Sequence, residues 1–107
     1  MHLPATTLRG NKVTNYDNED LGTIEDVMLD TATGTLGYAV LSFAGVVGNG
    51  KLFAVPIRAL TFDTHGRRFM LNADKETIRH APGFDRHNWP NPADTRWRSG
   101  INSYYSF

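Results

Sequence analysis

From position 21 to position 60 the chain alternates apolar stretches with turn signals: LGTIEDVMLD, TATG, TLGYAVLSF, AGVVGNG and KLFAVPIRAL. The β-branched and aromatic residues suit a pleated, half-buried surface, and the polar residues between them suit its solvent face. Three strands are predicted, and the middle one, residues 38–43, is apolar on both faces except at Ser42, so it is the most buried. In the first of the three the apolar phase slips, because Ile24 is even while Val27 and Leu29 are odd. A bulge near Glu25 and Asp26 would reconcile them, and bulges help sheets to curl. Upstream, residues 8–16 read as a strand that enters the next one through the polar turn 17–20. Downstream, Pro56 ends the third strand. Leu60 and Phe62 then face Phe69 and Leu71 across a turn at 64–67. Residues 74–81 read as a short helix with Asp74 as N-cap and Pro82-Gly83 as its stop. The pattern predicts a small β-barrel with a core of Ile24, Val27, Leu29, Tyr38, Val40, Leu41, Phe53, Val55, Leu60, Phe69 and Leu71.

Beyond Phe84 the character changes. Residues 85–107 are polar, contain Pro90 and Pro92, and carry Trp89, Trp97, Tyr104, Tyr105 and Phe107 at no regular spacing. An extended C-terminal tail is predicted, which divides the chain into a barrel at 1–84 and an aromatic-bearing tail at 85–107 that packs on the barrel or on a neighbouring subunit.

Composition narrows the function. A length of 107 residues suits one domain with one core. Eleven basic residues balance eleven acidic ones, so no net field holds a nucleic acid backbone or an anionic membrane. The absence of cysteine removes disulfides, thiolate metal sites and a cysteine nucleophile, and fits a reducing compartment. No apolar run reaches the roughly 20 residues that span a bilayer, and the N-terminus has no signal-peptide pattern, so a cytoplasmic protein is expected.

The sharpest chemical motif is a decoy. Residues 45–52, GVVGNGKL, match a phosphate-binding P-loop at all positions but the last. There Leu52 offers no hydroxyl to magnesium, and a strand follows where the motif requires a helix. A hairpin loop is the simpler reading, although it leaves the apolar tip Val46 and Val47 unexplained. His80, Asp85 and His87 are separated by a helix stop and lack a fourth ligand, and the acidic run 17–20 lacks calcium-loop spacing. Asp26 and Asp30 share a strand face at about 13 Å, too wide for a carboxylate dyad. No nucleophile elbow or triad signature is present. No catalytic residue, cofactor or metal is expected.

Taken together, Gly22-x-Ile24-x-Asp26-Val27, the strand 38–43, Phe53-Ala54-Val55-Pro56 followed by Leu60, and Ala81-Pro82-Gly83-Phe84 closely resemble the PRC-barrel family over residues 8–89. The family takes its name from the cytoplasmic domain of the photosynthetic reaction-centre H subunit and includes the C-terminal domain of a ribosome-maturation factor. The resemblance implies a six-stranded, mostly antiparallel barrel that docks on other macromolecules without catalytic residues or a cofactor. The membrane helix of the H subunit and the N-terminal domain of the maturation factor are not seen in this sequence, so neither role carries over, and a stand-alone bacterial member is the expectation. The function expected is a protein-interaction module, with Val46, Val47, Trp89, Trp97, Tyr104 and Tyr105 as candidate contacts, because Trp and Tyr bury large areas while keeping a polar handle. The partner is an unidentified protein or a second copy in a homodimer; DNA is not expected, and a membrane only through a partner. Two alternatives remain open: a peripheral component of photosynthetic or respiratory electron transfer, and an RNA- or ribosome-associated assembly factor. Balanced charge weakens the second, which would use a local patch of Arg67, Arg68, Arg96 and Arg98.

Overall fold

The computed structural model describes residues 4–43, 51–63, 65, 67–91 and 94–105. The chain opens with one helical turn, α1 (Ala5–Leu8), followed by strands β1 (Lys12–Thr14), β2 (Asp20–Asp30), β3 (Thr35–Ser42) and β4 (Lys51–Pro56). A 3-10 turn (Ile57–Ala59) leads to β5 (Leu60–Asp63) and β6 (Arg68–Leu71). Helix α2 (Lys75–Arg79), the two-residue strand β7 (Phe84–Asp85) and helix α3 (Thr95–Tyr104) complete the order.

The strands form one seven-stranded sheet in the order β5-β6-β1-β2-β3-β4-β7. The architecture is mainly β, with three corrections to the six-stranded antiparallel barrel. The seventh strand is β7, whose Phe84 and Asp85 pair with Leu52 and Lys51. The sheet is mixed, because Val13 and Thr14 of β1 pair in parallel with Phe69 and Met70 of β6. Among the described residues no ladder joins β5 to β7, so the sheet keeps two ends and does not close. The predicted strand at 8–16 is also shorter. Pro4 starts a helical turn that buries Leu8, and only residues 12–14 enter the ladder.

The two expected hairpins, β1–β2 and β5–β6, both form. The ladder between β5 and β6 sets Leu60 opposite Leu71 and Phe62 opposite Phe69, with the two rings 5.0 Å apart. Between β2 and β3, Ile24 faces Leu41 and Asp26 faces Val40, which leaves Glu25 as the extra residue of the expected bulge. A second irregularity skips Gly37 on β3, so Leu29 faces Leu36 at the hairpin end. Burial falls away there on both strands, and Leu29 is 57% exposed. This corrects its placement in the core: the hairpin reaches past the elements that cover the sheet.

The core is built from Val13, Leu21, Ile24, Tyr38, Ala39, Leu41, Phe43, Phe53, Ala54, Val55, Leu71 and Ile78, with Val27, Leu60 and Phe69 half-buried against it. Helix α2 begins at the expected cap, where the Asp74 carboxylate accepts the Thr77 N–H at 2.7 Å. The tail is not extended. It contains the ten-residue helix α3, which contributes Ile101 and Tyr105 to the same core. No helix among the described residues is long and apolar enough to cross a membrane.

Candidate docking surface

Helix α3 starts at Asp94, whose carboxylate accepts the Arg96 N–H at 2.9 Å. One face then carries Trp97, Ile101, Tyr104 and Tyr105, the i, i+4, i+7, i+8 spacing of an amphipathic helix. Trp97 meets Tyr38 edge-on with ring centroids 5.1 Å apart, and Ile101 and Tyr105 are almost fully buried. The Tyr104 ring stands 5.1 Å from Tyr105, and its hydroxyl donates to the Thr77 carbonyl in the last turn of α2, where helix carbonyls lack partners within the helix. Burial raises the Tyr104 phenol above its usual range, with a further push from the Asp74 charge, and burial raises Tyr105 more strongly.

The connection from β7 to α3 is anchored separately. Trp89 packs on Phe84 at 5.2 Å and donates its indole N–H to the Arg86 carbonyl at 2.8 Å, yet remains 41% exposed. Arg86 grips Glu25 with both terminal guanidinium nitrogens, at 2.6 and 3.1 Å. The bulge explains this contact. Glu25 has no partner residue across the ladder, and its backbone carbonyl instead accepts the Arg9 Nε–H at 3.0 Å. Hydrogen bonding from Arg86 holds the Glu25 carboxyl below the usual carboxylate range, against the opposing effect of partial burial.

Between the end of the β2–β3 hairpin, the 3-10 turn and α3 lies an open groove of about 820 Å³. Leu29, Leu36, Met28, Tyr38, Pro56 and Ile57 give it an apolar lining, while Asp30, Arg58, Asn91, Arg98 and Asn102 bring polar groups to it. Leu36 is 38% exposed, so the cross-strand pair Leu29–Leu36 forms a continuous apolar ledge in solvent.

Of the residues singled out in the sequence, Trp97, Tyr104 and Tyr105 share one helix face against the sheet of their own chain, and Trp89 lies apart from them on Phe84. Val46 and Val47 lie outside the described residues, as does most of the P-loop-like segment, of which Leu52 is a buried strand residue. The groove itself was missed. Its signal was the placement of Leu29 and Leu36 on either side of the TATG turn, where neither side of a hairpin end has a sheet to cover it.

The architecture is a mainly β, mixed seven-stranded sheet with short helices, and the groove lies between the end of its β2–β3 hairpin and α3. The chain belongs to the PRC-barrel domain family, whose profile matches residues 2–78. No curated protein matches it. Arg98, Asn91 and Asn102 lie beyond the matched residues, so one wall of the groove comes from outside the family match.

Proposed function

We propose that the protein is a non-catalytic interaction module that holds a partner protein in the groove between the β2–β3 hairpin and α3. The observation that carries this reading is the exposed Leu29–Leu36 pair, since two facing leucines left in water at the edge of a concave, mostly apolar surface mark a contact site. The carboxylates also favour binding over catalysis. Asp30, Asp74, Asp85 and Asp94 each accept a backbone N–H in a turn or cap, which commits them to structure. The RNA-associated alternative loses part of its patch, because Arg68 is engaged by Asp63 and by Asn18.

Affinity capture from native cells tests the reading, comparing the unaltered chain with a Leu29→Ser/Leu36→Ser variant. Both positions are exposed, so the variant keeps its melting temperature. Partners that use the groove are depleted from the variant's set, whereas an identical captured set overturns the assignment. Sedimentation of the two proteins decides whether a second copy is the partner, because a groove-mediated homodimer becomes a monomer in the variant.

A further inference from the structure

We infer that the groove selects an acidic, leucine-bearing peptide segment of its partner, an inference that rests on the docking role proposed above. Arg58 from the 3-10 turn and Arg98 from α3 both line the groove, and among the described residues neither makes an ion pair. The remaining charged group in the lining, Asp30, is occupied, its carboxylate accepting the Ala32 N–H at 3.0 Å. The apolar ledge of Leu29 and Leu36 therefore shares the groove with two guanidinium groups and one carboxylate that is already bonded within its own turn, two cations against one anion in the lining. Guanidinium presents a planar fork that matches a carboxylate, and like charges brought against it are rejected. The complementary surface carries leucine-sized anchors with Glu or Asp beside them. The groove's far wall is a helix, so a peptide helix can lie alongside it with anchors on one face. A lipid surface fits less well: the site is concave, and two cations on a chain of balanced charge attract an anionic bilayer weakly.

The test uses the full chain and two blocked peptides of about 15 residues with leucines at i, i+3, i+4 and i+7. Glutamates fill the other positions of one peptide and lysines those of the other. Fluorescence anisotropy is expected to show binding of the glutamate peptide at least about tenfold tighter than the lysine peptide. An Arg58→Glu/Arg98→Glu variant should reverse the order, and Leu29→Ser/Leu36→Ser should weaken both. Equal binding of the two peptides overturns the charge selection while leaving the docking role intact. Binding of neither peptide overturns the inference. Co-sedimentation with phosphatidylcholine–phosphatidylserine vesicles that is lost in the Arg58→Glu/Arg98→Glu variant assigns the surface to lipid and also overturns it.

Discussion

Gly22 sits inside β2 with φ at +136°, and a Cβ there would lie 2.1 Å from the Ser42 carbonyl oxygen on the neighbouring strand. Backbone cannot retreat from such a contact without breaking the ladder. Gly22→Ala is expected to lose at least about 3 kcal/mol, which urea unfolding would measure. A few residues away, Asn15 is buried at 4% exposure and holds the β1–β2 turn, its amide oxygen accepting the N–H groups of Asp17 and Glu19 while its amide nitrogen donates to the Glu19 carboxylate. The turn was legible from its polar run, but the residue that organises it was not, because an asparagine's partners are set by the closed loop. Glu25 is a different case, in which a phase slip in the sequence predicted a bulge and the bulge placed a charge. Its carboxyl is held below 4.5 in the fold, so the stabilisation is complete above the unfolded value and is lost as pH falls through the lower folded value. Glu25→Gln should cost about 0.5–1 kcal/mol at neutral pH, allowing for the exposure of the pair, and should flatten the acid limb of stability against pH.

At the scale of elements, α3 shows where sequence reading stopped. Counted alone, the tail's aromatics have no period, but Ile101 completes a helical stripe with Trp97, Tyr104 and Tyr105. Ser99 and Gly100 on the rest of the helix are poor helix formers, and ten residues are too few for a stable isolated helix, so α3 exists because its apolar face is covered. Ile101→Ala should therefore cost about 2–4 kcal/mol in denaturant unfolding, with a reduced tyrosine and tryptophan signal in near-ultraviolet circular dichroism. Tyr104 and Tyr105 give a second check. Their phenols titrate above 10 in the fold, so their contribution is fully present below the unfolded value and is lost as pH rises through the folded ones. Stability should fall on the alkaline side beyond about pH 10, and Tyr104→Phe should soften that fall while costing about 1 kcal/mol at neutral pH.

For the whole molecule, local pattern revealed the hairpins, the capped helix α2 and part of the core, namely Ile24, Tyr38, Leu41, Phe53, Val55 and Leu71, because each depends on neighbours in sequence. Strand order did not follow from it. The parallel contact of β1 with β6 joins segments whose apolar letters carry no record of each other, and the groove depends on a helix supplied from outside the family match. The same parallel contact bears on how the chain reaches its native state. During synthesis β1 emerges early and can zip to β2, whereas its other edge waits until β6 has been made and the β5–β6 hairpin has formed. Closing so long a loop costs entropy before the pairing returns any stability, and non-local parallel pairing is slow. The β1–β6 seam is therefore expected to close last and open first. Phe69→Ala should mainly accelerate unfolding and leave the refolding rate nearly unchanged, and amides along the seam should exchange with solvent before those of the β2–β3 ladder. A nascent chain that stalls before β6 leaves the outer edge of β1 bare, and a bare strand edge is a template for pairing with another chain.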